Sequence, residues 1–173
     1  MDLIVKILSI MCVAGFIEAS PVHIERIEMC DPNKDYPIKW AKKMKEENGV
    51  QIVEEGSLTT SVDMDDNIMN NVKIFSWEDD KWRFLISKED KLCKMIEDFT
   101  GDFASDMEKA AGLTKSCPYP KGHYTVKNYI LDFSRFKYKN FPDGKVKLVS
   151  EYNDKKTGEQ LGCIEAEFSL KRT

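Results

Sequence analysis

Two stretches near the end of the chain decide how the rest is read: Cys117-Pro118-Tyr119-Pro120-Lys121-Gly122-His123-Tyr124-Thr125-Val126 and Leu161-Gly162-Cys163-Ile164-Glu165-Ala166-Glu167-Phe168-Ser169-Leu170-Lys171. Each sets a cysteine beside a run in which apolar and polar residues alternate. Alternation with a period of two marks a strand that buries one face. A cysteine at the mouth of such a strand can staple a sheet edge to another part of the chain. The pair predicts a small, secreted, mainly β protein held by disulfides.

The same alternation recurs elsewhere. Leu58, Thr60, Val62 and Met64 share one face, and so do Trp82, Phe84 and Ile86. Val146, Leu148, Ser150 and Tyr152 form another, as do Ile164, Ala166, Phe168 and Leu170. Tyr124 to Phe133 is β-rich but less regular. Turn signals separate the runs at Asn48-Gly49, Glu55-Gly56, Phe141-Pro142-Asp143-Gly144 and Lys156-Thr157-Gly158. Asp154 to Gly158, between two alternating runs, predicts a hairpin.

One segment has a helical period. Leu92, Met95, Ile96, Phe99 and Phe103 follow a Ser87-Lys88-Glu89-Asp90 start, with Ser87 as the expected N-cap. Gly101 is expected to interrupt the segment and Gly112 to end it. One or two short amphipathic helices result.

Residues 1–19 read as a secretory leader: Lys6, then an apolar run from Ile7 to Ile17, then Ala19 at a plausible cleavage position. The run is shorter than the ~20 residues a membrane span requires. Cleavage would leave residues 20–173 as a single domain of about 154 residues, long enough for a true core. It would also remove Cys12 and leave Cys30, Cys93, Cys117 and Cys163. Four cysteines in a secreted chain imply two disulfides with three possible pairings. Cys93 could reach Cys117 across a loop of 25 residues, a closure contributing roughly 3 kcal/mol in the loop-entropy account. No Cys-x-x-Cys pair suggests zinc or redox chemistry, and no glycosylation sequon occurs.

The mature charge of −3 argues against a nucleic-acid partner. Lys42, Lys43 and Lys45 lie among Glu46 and Glu47 and read as a solvated helix or loop face. The acidic groups Asp63, Asp65, Asp66 and Glu78, Asp79, Asp80 read as solvated turns, because a calcium loop needs a glycine and a distal glutamate that are missing. After the leader only His23 and His123 remain, with no Gly-x-Ser-x-Gly elbow. The expectation is a protein that is not an enzyme and holds neither metal nor cofactor.

Cys117-Pro118 with Lys121-Gly122 and Tyr124 resembles the Cys-Pro-x-x-x-Gly-x-Tyr block of the ganglioside GM2 activator family. Leu161-Gly162-Cys163-Ile164 with Ser169-Leu170-Lys171 is similar to that family's C-terminus, and Leu92-Cys93 before Ile96-Glu97-Asp98 to its cysteine-bearing helical segment. Secreted insect chemosensory proteins of the CheB type share the pattern, which covers most of residues 58–171. The resemblance implies a β-cup of two antiparallel sheets around an apolar cavity, related in function to the lipid-recognition (ML) proteins. It implies the pairings Cys30–Cys163 and Cys93–Cys117. The activator's further disulfides near the helices have no counterpart here, leaving Thr100 to Ser116 less constrained.

In such a cup the inward faces would form the wall: Leu58, Val62, Met64, Val72, Ile74, Phe84, Val126, Ile130, Phe133, Val146, Leu148, Ile164, Ala166 and Phe168. Trp77, Trp82, Phe99, Phe103 and Met107 are expected at an apolar rim, although Trp77 among Ser76, Glu78, Asp79 and Asp80 also suits a surface turn. The expected partner is a lipid or other hydrophobic small molecule, with transient contact to a membrane surface and a receptor or hydrolase as recipient. The expected location is extracellular or lysosomal. A filled core serving as a protein-interaction module is the alternative.

Overall fold

The computed structural model describes residues 22–113 and 117–170. The leader expected at 1–19 lies outside the described residues, as do Cys12, Ser116 and Lys171. The strands are β1 (Val22–Met29), β2 (Ile38–Glu47), β3 (Val50–Thr60), β4 (Ile68–Glu78), β5 (Lys81–Lys91), β6 (Gly122–Ile130), β7 (Gly144–Asp154) and β8 (Gln160–Leu170). Two helices, α1 (Leu92–Phe99) and α2 (Asp102–Ala110), lie between β5 and β6. One sheet runs β1-β8-β7-β4-β5 and the other β2-β3-β6, every described pairing being antiparallel. The expected two-sheet architecture with short helices and two disulfides is what forms.

Local chemistry explains the connections. Asn48 and Gly49 both take positive φ, 53° and 78°, and join β2 to β3 in a two-residue turn. Asp79 and Asp80, at 50° and 58°, do the same between β4 and β5. Two left-handed residues match the twist of the strands they connect. At the β7–β8 turn the Asp154 carboxylate accepts from the Lys156 and Thr157 backbone N–H groups at 2.9 and 2.7 Å. These bonds, the Thr157 backbone bond foremost, lower the Asp154 pKa. Gly101, at φ 55°, breaks the helical segment, and Gly112, at 77°, follows its end.

Several expectations change. Ser87 does not cap a helix: β5 stays paired with β4 as far as Lys91, opposite Met69, and α1 starts only at Leu92. Cross-strand pairing overrides the local capping preference. Glu55-Gly56 is no turn but the middle of β3. Gly56 is buried there, and a Cβ on it would stand 3.0 Å from both Val126 Cγ2 and Val53 Cγ1. Lys42, Lys43 and Lys45 belong to strand β2.

Cys30 is bonded to Cys163, and Cys93 to Cys117. The first bridge fastens the segment after β1 to β8. The second fastens the start of α1 to the chain beyond α2.

Candidate functional site: the gap between the sheets

The sheets are tightest where β2 crosses β8. Ile38 is fully buried there, and a Cβ built on Gly162 would meet the Ile38 carbonyl oxygen at 3.0 Å. Around this contact gather Leu58, Met64, Ile68, Leu92, Tyr119, Tyr152 and Leu161, all buried. β1 also touches β2. On the opposite side α1 leans on β4 and β5, and α2 leans on β6. The two sheets thus touch along the β1–β8 and β2 edge, and the helices pack along the β4–β5 and β6 edge.

The inward faces largely follow the alternation. Leu58, Met64, Val72, Ile74, Val126 and Val146 are buried. Leu148, Ile164, Ala166, Phe168, Val62 and Phe133 are also placed among apolar neighbours or on inward positions but stay partly exposed. This is unexpected for Leu148 and Ala166, which lie opposite one another on neighbouring strands inside the five-stranded sheet. Where two sheets pack face to face at about 10 Å, such positions are filled by side chains from the facing sheet.

Two wall positions point the other way. Phe84 is 58 % exposed, because a bulge shifts the register between Ile74 and Phe75: Ile86 opposes Ile74, but Phe84 opposes Phe75. The extra residue reverses the phase of the strand. Phe84 therefore joins Phe75, edge to face at 5.7 Å, on the outer surface. Ile130 is 59 % exposed. Asn128 has φ 51°, and beyond it Tyr129 rather than Ile130 packs with Val53, Val126 and Leu131.

The residues expected at a rim fall into two groups. Trp77 and Trp82 pair edge to face at 5.0 Å across the β4–β5 hairpin, away from the helices. The Lys147 ammonium stands 5.0 Å from the Trp82 ring and 5.2 Å from Phe75. Phe99, Phe103 and Met107 are on the helices, Phe99 buried and the other two partly so.

The helical aromatics extend into a feature that the sequence reading did not find. The β6–β7 connection supplies Phe133, Phe136, Tyr138 and Phe141. Phe99 stacks on Tyr138 at 4.8 Å and Phe103 on Phe133 at 5.3 Å. Phe141 meets Tyr138 at 4.7 Å and Phe168 of β8 at 5.2 Å. Tyr138 donates its backbone N–H to the Phe99 carbonyl at 2.9 Å, and Arg135 forms an ion pair with Asp106 of α2. These rings join the helices to β8 through the β6–β7 connection. The only available signal was aromatic density, since an irregular backbone has no period to read.

Polar groups inside are few and mostly satisfied. The Ser150 hydroxyl donates to Asn70 Oδ1 at 2.8 Å. The Tyr119 hydroxyl donates to the buried Glu108 carboxylate, and burial first, then Glu108, pushes the Tyr119 pKa upward. Burial likewise raises Tyr152. The exception is Trp40, on β2 opposite Leu58, whose indole Nε1 is buried and has no hydrogen-bond partner. At the outer end of α1, Asp98 accepts from Lys94 and Lys88 at 2.8 and 3.0 Å, which lowers its pKa to about 2.

Two concavities lie on the closed side. One, of about 410 Å³, is lined by Met29, the 31–35 bend, Lys39, Trp40, Ala41, Ser57 and Thr59. The other, of about 230 Å³, is lined by His23, Ile24, Glu25, Lys42, Met44, Lys45, Glu46 and Gln51. The first lining is about evenly polar and apolar, and the second is mainly polar. His123 is on exposed β6, its Nδ1 2.8 Å from Thr59 Oγ1. Among the described residues, no three His, Cys, Asp or Glu side chains gather as a metal site would require. No helix among them is long and apolar enough to cross a membrane.

No curated protein matches the chain. Among solved structures it is similar to chicken MD-1, determined in complex with lipid IVa, at 12 % identity and a TM-score of 0.38, over 88 % of this chain and 99 % of that one. It is also similar to a Niemann-Pick type C2 protein from the Japanese carpenter ant, at 19 % identity and a TM-score of 0.28, over 83 % and 88 % of the two chains. Residues 70–148, from β4 through both helices into β7, match the family described as "Protein of unknown function (DUF1091)".

Proposed function

We propose that this protein is a secreted, non-catalytic carrier that holds an acyl chain or similar apolar molecule between its sheets and passes it to a membrane, receptor or hydrolase. The observation that carries the reading is the incomplete closure of the inner faces. Leu148, Ile164, Ala166 and Phe168 stay partly exposed on inward positions, with Phe168 packed against Phe141 of the β6–β7 connection. Apolar cargo would complete the burial that the facing sheet leaves unfinished. Each methylene removed from water contributes about 0.8 kcal/mol, so a 16-carbon chain gains on the order of 10 kcal/mol before ordering costs.

The wall in this reading consists of Leu58, Val62, Met64, Val72, Ile74, Val126, Phe133, Val146, Leu148, Ile164, Ala166 and Phe168. Phe84 and Ile130 drop out because they face outward. Phe99, Phe103 and Met107 remain the rim, joined by Phe136, Tyr138 and Phe141 of the β6–β7 connection. The two disulfides suit an extracellular or lysosomal setting.

Native mass spectrometry of protein from its source, with titration by an apolar fluorescent probe, tests the reading. Co-purified lipid or a saturable spectral shift is the expected result. Protein that carries no lipid and leaves the probe unchanged overturns it, in favour of an interaction module with a filled core. Adding the protein to a glycosidase with membrane-embedded substrate then separates the finer roles: turnover rises for a hydrolase activator and is unchanged for a chemosensory carrier.

A further inference from the structure

The inner face of the five-stranded sheet is covered in two different ways. Near β2 it meets the other sheet: Ile38 and Leu58 share a cluster with Ile68, Tyr152 and Leu161. Over β4 and β7 it does not. There Val72, Ile74 and Val146 are buried with Met95 and Phe99 of α1 and with Phe141, and Leu148 and Phe168 pack beside them. Among the described residues this cluster holds no side chain of β2, β3 or β6. Phe141 belongs to the β6–β7 connection, whose residues 131–143 carry one short 3-10 turn, Phe133–Arg135, and otherwise irregular backbone. Its rings run from one sheet to the other. Phe133 packs with Val53 and Val126 of the smaller sheet and lies 6.5 Å from Phe136. Phe136 lies 6.2 Å from Phe141, and Phe141 lies 5.2 Å from Phe168. Side chains of one irregular segment thus fill a place that facing strands fill in an ordinary sandwich. Far shorter connections suffice to join two strands, and long ones are commonly functional.

We propose that Phe141 is a built-in substitute for cargo. In the empty protein its ring fills the cluster of Val72, Ile74, Val146 and Phe168, and an acyl chain takes that place as the 136–141 strap turns outward. This inference rests on the carrier reading above and assigns the apolar tail to one part of the wall. The exchange replaces one apolar group by another, so the sheet face stays covered in both states. Gly144 supplies the pivot. It has φ 94°, joins the strap to β7, and has open space where a Cβ would stand. Cargo then binds only to the fraction of molecules whose strap is displaced, which lowers its apparent affinity by that fraction.

The test removes the ring and keeps the wall. Phe141→Ala is expected to melt at a lower temperature than the wild type, as the loss of a buried ring requires. It is nevertheless expected to bind diphenylhexatriene, a fluorescent hydrocarbon, about 10-fold more tightly. Lower stability with equal or weaker binding is the result for a ring that only packs, and it overturns the inference while leaving the carrier reading in place. If neither protein binds diphenylhexatriene or palmitic acid, the carrier reading fails and takes the inference with it.

The hole left by alanine offers volume of its own, so a second measurement uses the wild type. The Tyr138 backbone N–H donates to the Phe99 carbonyl at 2.9 Å, and the Tyr138 ring lies 4.7 Å from Phe141. Its exchange with deuterium, followed by NMR, reports whether the strap leaves α1. Saturating palmitic acid is expected to speed this exchange about 10-fold. The Met64 N–H, bonded to the Tyr119 carbonyl at 2.8 Å away from the strap, is expected to keep its rate or slow. Exchange at Tyr138 that is unchanged or slower with palmitic acid bound overturns the inference.

Discussion

Replacing Gly162 by alanine tests whether the sheets are pinned together where β2 crosses β8. A Cβ at this position falls 3.0 Å from the Ile38 carbonyl oxygen, 3.1 Å from Ile38 Cβ and 3.2 Å from Tyr152 Cδ2. Two of these atoms belong to the facing strand, and one is a backbone carbonyl, so relief requires the sheets to move apart. Overpacking of this kind costs about 1–3 kcal/mol. Alanine recovers about 0.4–1 kcal/mol by restricting the unfolded chain, leaving a net loss of about 1–2 kcal/mol. That corresponds to a fall in melting temperature of about 2–8 °C for a chain of this size. Gly56→Ala is the internal control. Its Cβ also meets atoms at 3.0 Å, but both are valine methyl groups, Val126 Cγ2 and Val53 Cγ1. Side chains yield more readily than backbone, so Gly56→Ala should cost less. Urea and thermal unfolding of both variants give the comparison. A Gly162→Ala protein as stable as the wild type, or a Gly56→Ala protein less stable than Gly162→Ala, would refute this account of the closed edge.

Replacing both members of each disulfide by alanine should cost more for Cys30–Cys163, which spans 133 residues, than for Cys93–Cys117, which spans 24. Loop entropy gives about 5 and about 3.5 kcal/mol, and a reversed order of urea midpoints would count against it. Phe141→Ala should lose about 3–5 kcal/mol, since this ring is buried against Tyr138 and Phe168, while Phe84→Ser on the outer surface should cost about 1 kcal/mol at most. Comparable losses by thermal unfolding would contradict the placement of the two rings. Asp98, with a pKa lowered to about 2 by Lys94 and Lys88, favours the folded state above the unfolded carboxylate pKa of about 4. That contribution disappears as pH falls from about 4 towards 2. Asp98→Asn should flatten the acid limb of the stability profile in that window, and an unchanged limb would exclude the linkage.

The sequence exposed the regular parts of the fold because regularity is what periodicity detects. β7 and β8 keep strict alternation, and the Val146–Tyr152 and Ile164–Leu170 faces turn inward together. Asn48-Gly49, Gly101 and Gly112 were readable because left-handed backbone leaves a residue-type signature. The misplaced residues share one cause: a single irregular residue reverses everything beyond it. The bulge between the Ile74 and Phe75 pairings turns Phe84 outward, and left-handed Asn128 gives Tyr129 the place expected for Ile130. β1 and β2 were missed because their charged edges mask the alternation; β2 keeps only Ile38, Trp40 and Met44 towards the interior. The rings of the β6–β7 connection lie on irregular backbone, and the unpaired indole of Trp40 exists only once the surrounding atoms are placed.

The Cys93–Cys117 bridge has a mechanical consequence. It joins the first turn of α1 to the chain just before Tyr119, whose backbone pairs in both directions with Met64 at 2.8 and 3.0 Å. Both ends of the helical excursion are thereby riveted to one spot beside the strands. The helical excursion is therefore a closed covalent ring, and the start of α1 cannot leave the strands unless the chain at Cys117 leaves with it.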